Sequence, residues 1–124
     1  MAMPSRRVWF RRRQRDEPKA SPLQEEAWEA AIALYRAENC RYFRVSDVLP
    51  IYGCLCDYAR GRPIDMRTRR LAERHLLVLR ETAERVEEDV RGPLPEDWIK
   101  AKADLARVIE VFDKVTGGQL PARP

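Results

Sequence analysis

The sequence predicts an all-α protein: a small antiparallel bundle of about four helices, preceded by a basic, extended N-terminal arm. Three observations predict it. Apolar residues recur at helical spacing in four stretches, and no run alternates with the period of two that a half-buried strand needs. Each stretch is bracketed by residues that start or stop helices. Positive charge is gathered at one end of the chain. Arg6, Arg7, Arg11, Arg12, Arg13, Arg15 and Lys19 face only Asp16 and Glu17, so residues 1–20 sum to +5. The other 104 residues, with 17 bases and 18 acids, sum to −1.

The expected domain organisation is a basic arm over 1–20, a helical bundle over 21–116 and a flexible tail over 117–124. The arm is rich in Arg, Pro, Gln and Asp and has no amphipathic period, so it is expected to be disordered alone and to order on a partner. The first helix starts at Ser21 as N-cap, with Pro22 at the first helical position and Gln24 closing a capping box. Leu23, Ala27, Ala30, Ala31, Leu34 and Tyr35 mark its inner face, Glu25, Glu26 and Glu29 suit the positive end of its dipole, and its end is expected near Asn39. Residues 40–46 read as an extended connection. Asp47 reads as the N-cap of a second helix, with Pro50 at its third position, where no amide is needed. Val48, Ile51, Tyr52, Leu55, Tyr58 and Ala59 form one face; Gly61 closes the helix and Pro63 prevents its continuation.

The third helix is expected over about 64–90. Ala72, Leu76, Leu79, Ala83, Val86 and Val90 are spaced 4-3-4-3-4, a coiled-coil-like seam widened by Leu71, His75 and Val78. Gly92-Pro93 ends it. The fourth opens at Pro95, carries Glu96 and Asp97 in its first turn, and repeats the seam with Trp98, Ala101, Leu105, Val108, Phe112 and Val115 before Gly117-Gly118 stops it. Short loops between such helices imply antiparallel neighbours.

Composition limits the function. No apolar run reaches the roughly 18 residues that a membrane span needs, and the N-terminus lacks the apolar stretch of a secretory signal. Three cysteines, Cys40, Cys54 and Cys56, make an odd, sparse set, which argues for a reducing, cytoplasmic location and against a disulfide scaffold. On one helix Cys54 and Cys56 project roughly 200° apart, so they do not share a tetrahedral ion, and His75 reads as a packed or rim histidine. No metal site and no cofactor are expected. With a single histidine, no nucleophile in an activating setting and no glycine-rich phosphate loop, no catalytic residue is assigned and the chain reads as a non-enzyme.

The candidate binding residues are therefore basic. In the arm, Arg6, Arg7, Arg11, Arg12, Arg13 and Arg15 supply planar forks that grip phosphate. Trp9 and Phe10 among them suit stacking on unpaired bases, at on the order of 1–3 kcal/mol per base, so single-stranded nucleic acid or RNA fits better than duplex DNA. Arg67, Arg69, Arg70 and Arg74 form a second patch on the third helix. That helix carries its charge reversed: arginines crowd its start, and Glu81, Glu84, Glu87, Glu88 and Asp89 crowd its end. Each misplaced exposed charge costs about 0.3–1 kcal/mol against the dipole, and local pairs such as Arg69–Glu73 and Glu81–Arg85 repair only part of that. The expected function is a non-enzymatic nucleic-acid-binding subunit of a larger ribonucleoprotein, gripping backbone without regard to sequence, with nucleic acid, other protein subunits and copies of itself as partners and no membrane.

In size, composition and predicted architecture the chain is similar to the small all-helical subunits of RNA-guided CRISPR effector complexes, which line a nucleic-acid groove. The alternative is a protein–protein adaptor or structural subunit of a phage or multiprotein assembly, with the arm threading into a neighbour on Trp9 and Phe10. A third reading is a helix-turn-helix: the second helix, the Gly61-Arg62-Pro63 turn and the start of the third would place Arg62, Arg67, Thr68, Arg69 and Arg70 against duplex DNA.

Overall fold

The computed structural model describes residues 20–117. Among them the chain is all-helical, with five helices and no strand: α1 (Pro22–Leu34), α2 (Ala37–Tyr42), α3 (Val45–Ala59), α4 (Met66–Asp89) and α5 (Glu96–Thr116). The arm, apart from Ala20, and residues 118–124 of the expected tail lie outside the described residues.

α1 begins as its sequence dictates. Ser21 Oγ accepts from the Gln24 amide at 3.1 Å, and Gln24 Oε1 accepts from the Ser21 amide at 2.7 Å. Two of the amides that every helix start leaves without an intrahelical partner are thereby satisfied. The helix stops at Leu34, short of Asn39, because Arg36 turns extended (φ −72°, ψ 158°) and the chain re-enters helix at Ala37. Asn39 is instead a fully buried member of α2. Its Nδ2 donates to the Ala33 carbonyl at 2.8 Å, satisfying an end group of α1, and to Asp104 Oδ2 on α5 at 3.1 Å.

The expected extended connection over 40–46 is thus largely helix. A helical turn is what carries Tyr42 and Phe43 onto Trp98, with ring centroids 5.0 and 6.0 Å away. α3 likewise starts at Val45, earlier than Asp47. Its N-cap is Arg44, whose carbonyl accepts from the Asp47 and Val48 amides at 2.9 and 3.1 Å. Asp47 does not cap because its carboxylate faces His75 Nδ1 at 2.7 Å. The earlier start puts Pro50 inside the helix rather than in its first turn. The carbonyl deprived of an i+4 amide belongs to Ser46, which is exposed, so water can serve it.

α3 ends in a Schellman motif. Gly61 takes φ +74°, its amide bonds the Tyr58 carbonyl at 3.0 Å, and the Arg62 amide bonds the Asp57 carbonyl at 2.8 Å. Asp65, not residue 64, opens α4: its Oδ1 accepts from the Thr68 amide at 2.7 Å, and that bond holds its carboxyl below the usual range. The α4 seam lies where the spacing puts it, with Ala72, Leu76 and Leu79 buried and Ala83 and Val86 packed at the edge. Val90 has left the helix and is extended. α5 adds Val111 to the expected inner face, and Gly117 (φ +78°) caps it.

α1 packs on α3 and α5, α2 on α5, and α4 mainly on α3, around one apolar core. Small residues line the inner side of α1 (Ala27, Ala30, Ala31, Ala33), whereas Trp98 and Phe112 are the largest side chains fully buried. Trp98 joins three helices. Besides its α2 contacts, its Nε1 donates to Glu87 Oε2 of α4 at 3.1 Å, and Glu87 also pairs with Lys102 Nζ at 2.7 Å. The Lys102 and Trp98 bonds hold the Glu87 carboxyl below its ordinary value. Asp97 is lowered similarly, first by the Tyr42 hydroxyl that donates to it at 2.7 Å. Among the described residues no helix is long and apolar enough to cross a membrane.

Candidate nucleic-acid and protein interfaces

Five of the basic residues singled out in the sequence fall within the described residues, and the structure divides them. Arg62 reaches back to Asp57, with Nη1 3.9 Å from Oδ1, across the turn that the Schellman motif sets. Arg69 is half-buried, its Nε donating to Glu73 Oε1 at 2.9 Å, so its fork is already committed to a carboxylate. That is the local pair its i, i+4 spacing predicts. Arg67, Arg70 and Arg74 are exposed and form no ion pair with a described residue. Together with Met66 and Leu71 they line an open depression of about 570 Å³. Met66 is 57% exposed there, so the patch combines three guanidinium groups with apolar floor. Arg6, Arg7, Trp9, Phe10, Arg11, Arg12, Arg13 and Arg15 lie outside the described residues.

The reversed charge of α4 persists in three dimensions. Its first turn has no acid and its last turn no base. Of the acids in its second half, Glu87 is occupied by Lys102 and Trp98, while Glu81, Glu88 and Asp89 are exposed. The local pair Glu81–Arg85 does not form among the described ion pairs. For the helix-turn-helix reading, the α3–turn–α4 corner has Arg62 and Arg69 engaged within the chain, and the Thr68 amide capped by Asp65.

The thiols do not meet. Cys54 and Cys56 are buried in α3, Cys40 is half-buried on α2, and all three are free. Burial pushes the Cys54 thiol up to about 11, the behaviour of a packed apolar group and not of a nucleophile. Among the described residues no three His, Cys, Asp or Glu side chains are grouped to hold a metal ion. His75 lies at the rim of the core against Asp47.

One surface escaped the sequence reading. Trp28 and Ile32 on the outer side of α1 are followed by its C-cap Tyr35 at i, i+4 and i+7, and all three are exposed, Ile32 by 49%; Tyr35 thus lies outward and not on the inner face expected of it, because the helix ends before it. Tyr35 meets Tyr52 of α3 with ring centroids 5.1 Å apart, and exposed Leu49 and Val45 continue the apolar area along α3. The signal was present in the sequence: Trp28 and Ile32 lie off the alanine face that buries α1, so a large apolar residue outside the seam marks the outward side. Trp28 also lines an open depression of about 420 Å³ with Gln24, Ala59 and Arg60.

Comparison of the chain with protein-family models, with curated proteins and with solved structures finds no match.

Proposed function

We propose that this protein is a non-enzymatic nucleic-acid-binding subunit of a larger ribonucleoprotein, a small helical part of the kind found in CRISPR effector complexes, acting in the cytoplasm on single-stranded nucleic acid or RNA. The observation that carries the reading is charge segregation: +5 in the first twenty residues against −1 in the remaining 104. A cluster of arginines interleaved in sequence with Trp9 and Phe10 matches a flexible polyanion with exposed bases. The body is read as an antiparallel bundle that holds this arm. Arg67, Arg70 and Arg74 are a second place where a phosphate backbone would be gripped, because they are exposed and form no ion pair with a described residue.

The test is affinity for a single-stranded oligonucleotide across a salt series, with the full chain and with residues 1–19 deleted. Counterion release gives a log–log slope of roughly −0.7 per phosphate neutralised on a single strand, so six engaged arm arginines account for a slope of about −4. Deletion should flatten the slope by about that amount. A full-length chain that does not bind at low salt refutes the proposal.

A second reading has its own observation. The apolar face of Trp28, Ile32, Tyr35, Leu49 and Tyr52 suits an adaptor or structural subunit that docks on another protein. Ile32→Asp would then abolish co-purification of partners while leaving the salt slope of oligonucleotide binding intact.

A further inference from the structure

α4 is reversed against its own dipole, and the order of its outward side chains supplies a reason. On the side opposite buried Ala72, Leu76 and Leu79, the helix presents positions 67, 70, 74, 77, 81, 84 and 88, spaced 3-4-3-4-3-4. They read Arg, Arg, Arg, Leu, Glu, Glu, Glu. Every member is exposed except Leu77, the middle one, which is half-buried. Such a stripe becomes its own complement when turned end for end. Two copies laid antiparallel about a twofold axis at Leu77 bring Arg67 opposite the partner's Glu88, Arg70 opposite the partner's Glu84 and Arg74 opposite the partner's Glu81. Symmetry makes each pair occur twice, as in any isologous interface. Leu77 meets the partner's Leu77 on the axis. The 3-4 spacing is the one that keeps a stripe facing a neighbouring helix along its length. A parallel arrangement would stack arginine on arginine.

We infer that α4 is a self-association surface through which a second copy of this chain pairs antiparallel, basic half against acidic half. Charge complementarity identifies the occupant: Arg67, Arg74, Glu81 and Glu88 have no ion-pair partner among the described residues, and the same stripe on another copy offers one to each, while Arg70 meets opposite charge at a glutamate that is already engaged. The acidic half contains two bases: Arg80 is half-buried off the stripe, and Arg85 lies at its margin, where it shares a depression with Arg44 and Asp89. The stripe from 67 to 88 is about 30 Å long. One helix pair of that length falls at the small end of specific interfaces, so the dimer is reversible and salt-sensitive. The inference replaces one part of the proposed function and leaves the rest: Arg67, Arg70 and Arg74 serve a second copy in place of a phosphate backbone, and the arm is left for nucleic acid.

The test is sedimentation equilibrium of nuclease-treated full-length protein at low and high salt. Wild type should associate to dimers at low salt and dissociate as salt rises. R67E/R74E makes the stripe acidic except at Arg70, E81R/E88R makes it basic except at Glu84, and each variant alone, with four of its six pairs turned repulsive, should remain monomeric. Mixed in equal amounts, the two should form a heterodimer, which a merely misfolded variant cannot do; circular dichroism checks that both keep wild-type helicity. A wild type that stays monomeric at low salt, or an R67E/R74E variant that dimerises like wild type, overturns the inference. So does a monomeric wild type whose R67E/R74E variant loses affinity for the oligonucleotide, since the arginines would then serve phosphate. A dimer that passes the mixing test but binds no oligonucleotide leaves this inference standing and refutes only the function proposed above.

Discussion

Asn39 is the polar keystone of the chain, and replacing it separates hydrogen bonding from packing. Its side chain is fully buried where α1 ends, α2 begins and α5 passes. Nδ2 gives one bond to the Ala33 carbonyl at 2.8 Å and one to the Asp104 carboxylate at 3.1 Å. Oδ1, equally buried, has no hydrogen-bond partner. In Asn39→Ala the Ala33 carbonyl keeps the Arg36 amide at 3.3 Å and loses only its side-chain donor, at about 1 kcal/mol, and a charge-assisted bond worth about 1.5–3 kcal/mol is lost. Removing the unpartnered Oδ1 returns about 1–3 kcal/mol, so the net loss is about 1–2 kcal/mol. Asn39→Asp keeps the shape and inverts the chemistry: a carboxylate then faces a carbonyl and another carboxylate without a proton between them. It should cost more than alanine at neutral pH, by about 2 kcal/mol or more, because an uncompensated buried charge is added. Burial and the neighbouring Asp104 both favour the protonated form of the new acid. The gap between the two variants should therefore close as pH falls. The assay is urea unfolding followed by circular dichroism at several pH values. An aspartate variant as stable as the alanine variant at neutral pH, with no change in the gap on acidification, would refute this account of the site.

Trp98→Ala should destabilise by about 3–5 kcal/mol, because a fully buried indole that contacts Tyr42 and Phe43 is replaced by a cavity; thermal unfolding measures it, and a loss under about 1 kcal/mol would contradict the packing described. Glu87 and Asp97 both have folded-state values depressed below the ordinary ones of 4.5 and 3.8, so their contribution is present at neutral pH and is lost as pH falls below about 4.5 through those depressed values. Glu87→Gln should accordingly flatten the acid limb of stability against pH, and unchanged limbs would count against the Lys102 and Trp98 bonds. At pH about 8, well below the value of about 11 for the Cys54 thiol, a thiol-specific reagent should modify half-buried Cys40 first and reach Cys54 and Cys56 only on unfolding; three equivalent fast reactions would refute the burial.

Much of the fold was legible because local chemistry and tertiary packing agree there. The Ser21–Gln24 capping box, the α4 seam and the Gly61 and Gly117 stops each rest on residues whose backbone preference suits their place. The stretch from Tyr35 to Asp47 was illegible for a physical reason. Asn39 and Asp47 have side chains that cap helices locally, and both are drawn to distant partners, Asp104 and His75, that lie far along the chain. Tyr42 favours extended backbone, but the gain from packing its ring on Trp98 outweighs that preference, whereas Phe43 keeps it (φ −116°, ψ 141°) as the residue that ends α2. At the candidate site the sequence located the α4 arginines. It did not separate Arg62 and Arg69, which fold back on Asp57 and Glu73, from Arg67, Arg70 and Arg74, which do not. That difference depends on which side of the helix meets α3.

α1 is inside out. Its alanines lie inward with Leu34, so its axis can come close to its neighbours, and the bulkier Trp28, Ile32 and the C-cap Tyr35 are left outward. Enlarging an inner alanine has nowhere to go, whereas trimming an outer aromatic costs the isolated fold little. The isolated chain consequently carries a ceiling on its solubility: concentrating it brings greasy helix faces together before any charge on the body can keep them apart. Swapping Ile32 for a lysine should raise that ceiling without lowering the melting temperature.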